Sequence, residues 1–165
     1  MGELLEESCK FTIRNARETD LDKIIEINMK CLPEHYPRFF WLEHLRKWNK
    51  AFFVVETING EIIGYVMCRV EIGIGHIKPW IRKLGHVISI AVLEEFRRRG
   101  IGRALMISAM NALKKEYNVS EVYLEVRTSN IPAIKLYEKL GFKKVKVIKS
   151  YYLDGEDAYL MAREL

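Results

Sequence analysis

The chain has 165 residues, 49% of them hydrophobic and 30% charged, with 27 Lys and Arg against 22 Asp and Glu for a formal net charge of +5. That length suits one domain with a sizeable core, and the composition excludes a disordered chain. No apolar run approaches membrane-spanning length, and the basic excess is smaller than a dedicated DNA reader carries, so neither membrane nor DNA is expected as a partner.

The first residues, "MGELLEESCK", are acidic where a signal peptide is basic, and Glu6 breaks the myristoylation pattern after Gly2. Residues 1–10 are expected to form a flexible extension of a cytoplasmic protein. Cys9, Cys31 and Cys68 stand far apart, which suits free thiols and no zinc site. His35 and His44 lack a metal-binding frame, so no metal is expected.

"FTIRNA" (11–16) alternates and reads as a first strand. Thr19 is placed to cap a helix whose apolar stripe is Leu21, Ile24, Ile25, Ile27 and Met29. Pro33 and Pro37 bracket a loop, and residues 38–50 read as a second amphipathic helix. "AFFVVETI" and "EIIGYVMCRVEI" form a hairpin through Asn59-Gly60. Residues 73–84, "GIGHIKPWIRKL", suggest a mobile basic loop, read as a solvated loop, a gate or a contact to ribosomal RNA. "HVISIAVL" (86–93) is a strand buried on both faces. A long helix (101–118), a strand ("SEVYLEVR"), a short helix ("NIPAIKLYEKLG") and two strands joined at Asp154-Gly155 complete the chain. This order predicts an α/β domain over 11–165, its mixed sheet built from an antiparallel meander and then a β-α-β crossover.

"EEFRRRGIGRALM" (94–106) joins the buried strand to the long helix. First-turn amides lack intrahelical partners and carry partial positive charge, glycine lets a ligand approach the backbone, and arginine supplies paired donors. The junction therefore suits a phosphate. It matches neither a P-loop nor a dinucleotide fingerprint, because no Gly-Lys-Ser/Thr follows and position 105 is Leu105. A solvated helix start with incidental charge is the alternative.

The run Arg97-Arg98-Arg99-Gly100-Ile101-Gly102 after a buried strand resembles the GNAT acetyltransferases, which bind acetyl-coenzyme A. A second block, "NIPAIKLYEKLGF", carries Asn130, Ala133, Tyr137, Gly141 and Phe142 in the family's order. "LPEHYP" (32–37), "GHVISIAV", "YLEVR" and "YYLDGEDAYLMARE" (151–164) are similar to the catalytic subunits of N-terminal acetyltransferase A and their archaeal counterparts. The resemblance implies a single-domain GNAT fold whose mixed central sheet has splayed middle strands flanked by helices. It implies transfer of acetyl from acetyl-CoA to the α-amino group of protein N-termini, small first residues such as Ser, Ala or Thr first, with Met possible.

By that resemblance the pyrophosphate rests near Arg97, Arg98, Arg99, Gly100, Ile101, Gly102, Arg103 and Ala104. Pantetheine follows Ile90, Ala91 and Val92, with Asn130, Ala133 and Tyr137 completing the cofactor set. Splaying of 86–93 from 121–127 would open a cleft for the thioester. Three needs arise: a neutral amine, donors for the developing oxyanion, and a proton for the leaving thiolate. An α-amino group titrates at about 7.7–8.0, so a modest base suffices.

The resemblance offers His86, Glu125 and Glu34 as bases, a backbone N–H near Val92 as oxyanion donor, and Tyr137 as the acid. Competing readings are a satisfied strand-end histidine, an exposed strand carboxylate, a loop carboxylate and a core tyrosine. Leu32, Pro33, Glu34, Tyr36, Tyr151 and Tyr152 are the implied peptide contacts. Protein N-termini, on nascent chains at the ribosome or free, are the implied partner, and an auxiliary subunit is allowed but not required. Alternatives are acetylation of lysine side chains or small amines, and a non-catalytic CoA- or ribosome-binding module.

Overall fold

The structure is a computed structural model that describes residues 10–165. The expected extension over 1–10 falls almost wholly outside the described residues, as does Cys9.

Within the described residues seven strands form one mixed sheet: β1 (Phe11–Asn15), β2 (Phe52–Thr57), β3 (Ile62–Ile74), β4 (Ile81–Val92), β5 (Glu121–Arg127), β6 (Lys143–Ile148) and β7 (Ala158–Glu164). Their order is β1-β2-β3-β4-β5-β7-β6. Among the described residues four α-helices accompany them: α1 (Leu21–Cys31), α2 (Arg38–Trp48), α3 (Ile101–Tyr117) and α4 (Ile131–Lys139). The expected order of elements holds, with three strands in the meander and α3 as the crossover into parallel β5. No described helix is long and apolar enough to cross a membrane.

Contacts divide the chain into two compact units, one of residues up to Arg69 with Ile88–Ala112, the other of Val70–Val87 with Leu113–Leu165. In the first, β1 pairs antiparallel with β2 and β2 with β3, the hairpin turning at Gly60 with φ of 79°. Its core is the apolar face of α1 (Leu21, Ile24, Ile27), Trp41 of α2, and Phe52, Val54, Ile63, Tyr65 and Met67, all fully buried. The helix stripe differs from expectation at one position: Met29 is exposed and Asn28 is buried. The start differs too. Thr19 lies in a 3-10 turn (Glu18–Asp20), and Asp20 ends the approach by accepting a hydrogen bond from the Arg17 amide at 2.8 Å.

In the second unit β5 pairs with β7 and β7 with β6, both antiparallel. The parallel ladder of β4 and β5 holds three pairs, Leu84↔Glu121 to His86↔Tyr123, on strands of twelve and seven residues.

The expected mobile loop over 73–84 is a correction. β3 runs on to Ile74 and β4 already starts at Ile81, so only a short turn separates them. That turn is pinned from inside. The fully buried Glu121 accepts the His76 and Ile77 amides at 2.7 and 3.1 Å and pairs with Arg82, which also grips Glu164. A β-carbon on Gly75 would lie 2.7 Å from Glu121 Oε2, so glycine alone fits beneath the turn.

Candidate active site

Five places in the fold carry the residues that the sequence singles out.

The first is the junction before α3. A 3-10 turn (Glu94–Phe96) leads to Arg97, and then Arg98 and Gly100 take positive φ of 63° and 78°. This backbone curls the chain so that α3 begins at Ile101, its first regular bond running from the Ala104 amide to the Gly100 carbonyl at 3.0 Å. Amides ahead of that bond are the donors any helix leaves over. Arg98, Arg99 and Arg103 are exposed beside them. Arg97 has a further job: its Nε donates to the Val92 carbonyl at 2.9 Å, tying the turn to the end of β4. Arg99 lies over the Phe96 ring at 5.5 Å. This donor set and curl fit a diphosphate.

The second is β4 beyond Ser89. Ala91 and Val92 are buried and Ile90 is half-buried. The Val92 carbonyl also receives a weak bond from Cys31 Sγ at 3.7 Å.

The third is the loop 32–37. Asn28 Nδ2 donates to the Glu34 carbonyl at 3.0 Å and to Tyr65 Oη at 3.1 Å, and that hydroxyl meets Ser89 Oγ at 2.7 Å. Burial pushes the Tyr65 phenol far above its usual range, so it stays protonated within this pair of hydroxyls. This buried chain of polar groups sets the height of Glu34 and explains why Asn28 takes a core position. Leu32 binds back to the Asn28 carbonyl at 2.9 Å, and Pro33 is exposed. Tyr36 stacks on Phe40 at 4.5 Å and meets Trp41 edge-on. Glu34 and Tyr36 are half-buried.

The fourth is a cluster on β3, β4 and β5. His86 is 8% exposed and lies between two carboxylates, Nε2 at 2.7 Å from Glu125 Oε2 and Nδ1 at 3.1 Å from Glu71 Oε2. Tyr123 donates to Glu71 Oε1 and stacks on the imidazole, centroids 4.1 Å apart and planes 19° apart. Burial alone pulls the His86 pKa down, but Glu125 and then Glu71 outweigh it and leave it raised above 6.5. His86 and Glu125, singled out separately in sequence, are thus directly bonded. Sequence reasoning misses Glu71 and Tyr123. A signal for Glu71 is present: it is a lone acid in the apolar strand "YVMCRVEI".

The fifth comprises α4 and the turn before β7. Tyr137 is 7% exposed beside Phe142, and burial pushes its phenol up to about 12. Asn130 Oδ1 caps α4 by accepting from the Ala133 amide at 3.3 Å. Tyr151 and Tyr152 meet edge-on at 5.0 Å. The acids of "LDGED" clasp their turn: Arg127 binds Asp154 and Glu156 at 2.8 and 2.9 Å and lies 4.0 Å over the Tyr152 ring. Glu156 Oε2 takes the Ser129 amide at 3.0 Å, and Asp157 takes the Ser150 amide at 2.8 Å.

Comparison with known proteins matches residues 21–142 to the model of the Acetyltransferase (GNAT) family. A relative from Sulfurisphaera tokodaii named N-alpha-acetyltransferase is 58% identical over 94% of each chain. The N-terminal acetyltransferase A complex catalytic subunit NAA10 of Arabidopsis thaliana is 39% identical over 93% of this chain and 77% of its own. Among solved structures, Ard1 from Thermoplasma volcanium superposes with a TM-score of 0.80 at 32% identity, over 94% of this chain and 97% of that one.

Proposed function

The chain belongs to the acetyltransferase (GNAT) family and within it to the N-alpha-acetyltransferases, and we propose that it acetylates protein N-termini bearing small first residues, using His86 and Glu125 as its proton acceptor. Acetyl-CoA supplies the acyl group as a thioester. The domain doing this spans 11–165 and works in the cytoplasm, on finished or nascent chains.

Each residue has a part. The curled backbone from Arg98 to Ala104, with Arg97, Arg98, Arg99 and Arg103, holds the diphosphate. Ile90, Ala91, Val92, Asn130 and Ala133 position the pantetheine arm. The incoming α-ammonium loses a proton to the His86–Glu125 pair, directly or through a water. Its lone pair attacks the carbonyl carbon, a C–N bond forms, the nitrogen sheds its second proton to solvent, and the C–S bond breaks with its electrons leaving on sulfur. The Val92 amide donates to the oxygen that gains charge. Tyr137, protonated at neutral pH, hands its proton to the thiolate and regains one from solvent. Glu34, fixed by Asn28, contacts the amino terminus. Leu32, Pro33, Tyr36, Tyr151 and Tyr152 wall the first residues of the peptide.

The observation that carries the base assignment is the imidazole held between two carboxylates. Its two carboxylates raise His86 above its ordinary value, and an α-amine at about 7.7–8.0 asks less of such a base than a lysine at about 10.4. The test offers acetyl-CoA with an N-terminal Ser peptide, an Nα-blocked Lys peptide and spermine. The Ser peptide is expected to turn over fastest. Faster turnover of either other amine overturns the reading. The homology to a complex catalytic subunit makes an auxiliary partner compatible with this chain, and assay of the chain alone measures the need for one.

A further inference from the structure

We propose that Glu71 is a positioning residue for the proton acceptor, holding the Nδ1 side of His86 so that Nε2 is committed to Glu125. This rests on the reading of His86 and Glu125 as the base.

The positions of the protons decide the role. Both oxygens of Glu71 are engaged, Oε1 by the Tyr123 hydroxyl and Oε2 by His86 Nδ1 at 3.1 Å. An ionised carboxylate only accepts, so Nδ1 carries hydrogen. Nε2 then faces Glu125 Oε2 at 2.7 Å. Two bare acceptors at that distance repel, so a proton lies between them in the resting state. Above the His86 midpoint that proton is lost to solvent, which gives the active form: the ring still has Nδ1–H on Glu71, and Nε2 and Glu125 face each other with a strong demand for the proton of the incoming ammonium. That demand is what a base for an ammonium group needs.

Without Glu71 the outcome changes. The neutral ring can move its single proton to Nε2 and satisfy Glu125 alone, and the demand disappears. Burial would also work unopposed on one side of the ring, since His86 is 8% exposed. The titratable groups facing the imidazole are Glu71 from β3 and Glu125 and Tyr123 from β5, with His76 of the β3–β4 turn leaning on Tyr123 at 4.5 Å. Tyr123 tunes the arrangement: its hydroxyl stabilises charge on Glu71 and so limits how much of that charge the ring feels.

The experiment follows the His86 ring by NMR titration in the full chain, where only four histidines need resolving, alongside the pH dependence of kcat/KM for the Ser peptide. Glu71→Gln keeps an oxygen for Nδ1–H but removes the charge. It is expected to lower the His86 midpoint by about one pH unit, a tenfold loss of proton affinity, and to carry the acid limb down with it while KM for acetyl-CoA stays unaltered. Tyr123→Phe is expected to move the midpoint the opposite way, and it keeps the idea testable if the glutamine variant fails to fold. A midpoint unmoved in both variants overturns the proposal. If Glu125→Gln shifts the acid limb and Glu71→Gln does not, the Glu71 role alone falls. If His86→Gln and Glu125→Gln both leave the limb untouched, the base reading itself falls and takes this role with it.

Discussion

Tyr137 is the residue whose chemistry and packing most need separating. Its ring fills core space against Phe142, and its phenol is pushed up to about 12 by burial. A phenol so placed stays protonated through neutral pH and can only donate there. Tyr137→Phe keeps the ring and deletes the proton. It is expected to lower kcat by about two orders of magnitude, the lower end of what general acid catalysis supplies, with a smaller change in KM for acetyl-CoA. Steady-state kinetics across acetyl-CoA concentrations decides this, and an unchanged kcat would return Tyr137 to a packing role. At this scale the sequence is informative but incomplete. Glu125 stands out as an acid in an apolar strand, and the same logic applies to Glu71 and to Glu121. The three prove different in kind: Glu125 and Glu71 flank an imidazole, whereas Glu121 binds backbone amides of a turn. Residue type and pattern are the same for all three, and only the partners tell them apart.

Among the elements, the start of α3 and the turn before β7 carry the clearest consequences. Gly100 has φ of 78°, and a β-carbon placed there would meet nothing within 4 Å, so backbone strain alone opposes a side chain. Gly100→Ala is expected to cost about 1–2 kcal/mol of stability and to raise KM for acetyl-CoA while kcat is retained, measured by thermal unfolding and initial rates. In the other turn, Glu156 is held down to about 2 by Ser129 and then Arg127, against an ordinary 4.5. A folded value below the unfolded one means stabilisation that is complete above about pH 4.5 and lost as the pH falls through about 2. Glu156→Gln is therefore expected to flatten the acid side of the stability curve, read by urea unfolding at pH 6 and pH 3, and to weaken peptide more than acetyl-CoA. The β3–β4 hairpin shows where reading by element fails. Ile72, Ile74 and Ile81 are exposed, so the usual inside–outside alternation is absent, and Gly, Pro and basic residues look like a loop. The strands persist because Glu121 and Arg82 anchor the turn from the side, a contact made across residues far apart in the chain.

For the whole molecule, the decisive measurement is the set of N-termini that the purified chain acetylates by itself. Mass spectrometry of a peptide library with acetyl-CoA is expected to return Ser, Ala and Thr starts ahead of Met starts, and lysine side chains unmodified. From the sequence alone came the class of fold, the order of elements, the phosphate-suited junction at Arg97–Gly102 and the membership that "NIPAIKLYEKLGF" and "YYLDGEDAY" announce. These are local properties: hydrophobic period, turn residues and short motifs survive being read one window at a time. What needed tertiary structure were the meetings of distant residues. Asn28 with the Glu34 carbonyl and Tyr65, Arg127 with Glu156, and Glu71 with His86 and Tyr123 are each separated by sequence intervals that no period encodes. A proton's affinity for His86 is a sum over neighbours brought in by three strands, so it exists only once the sheet has formed.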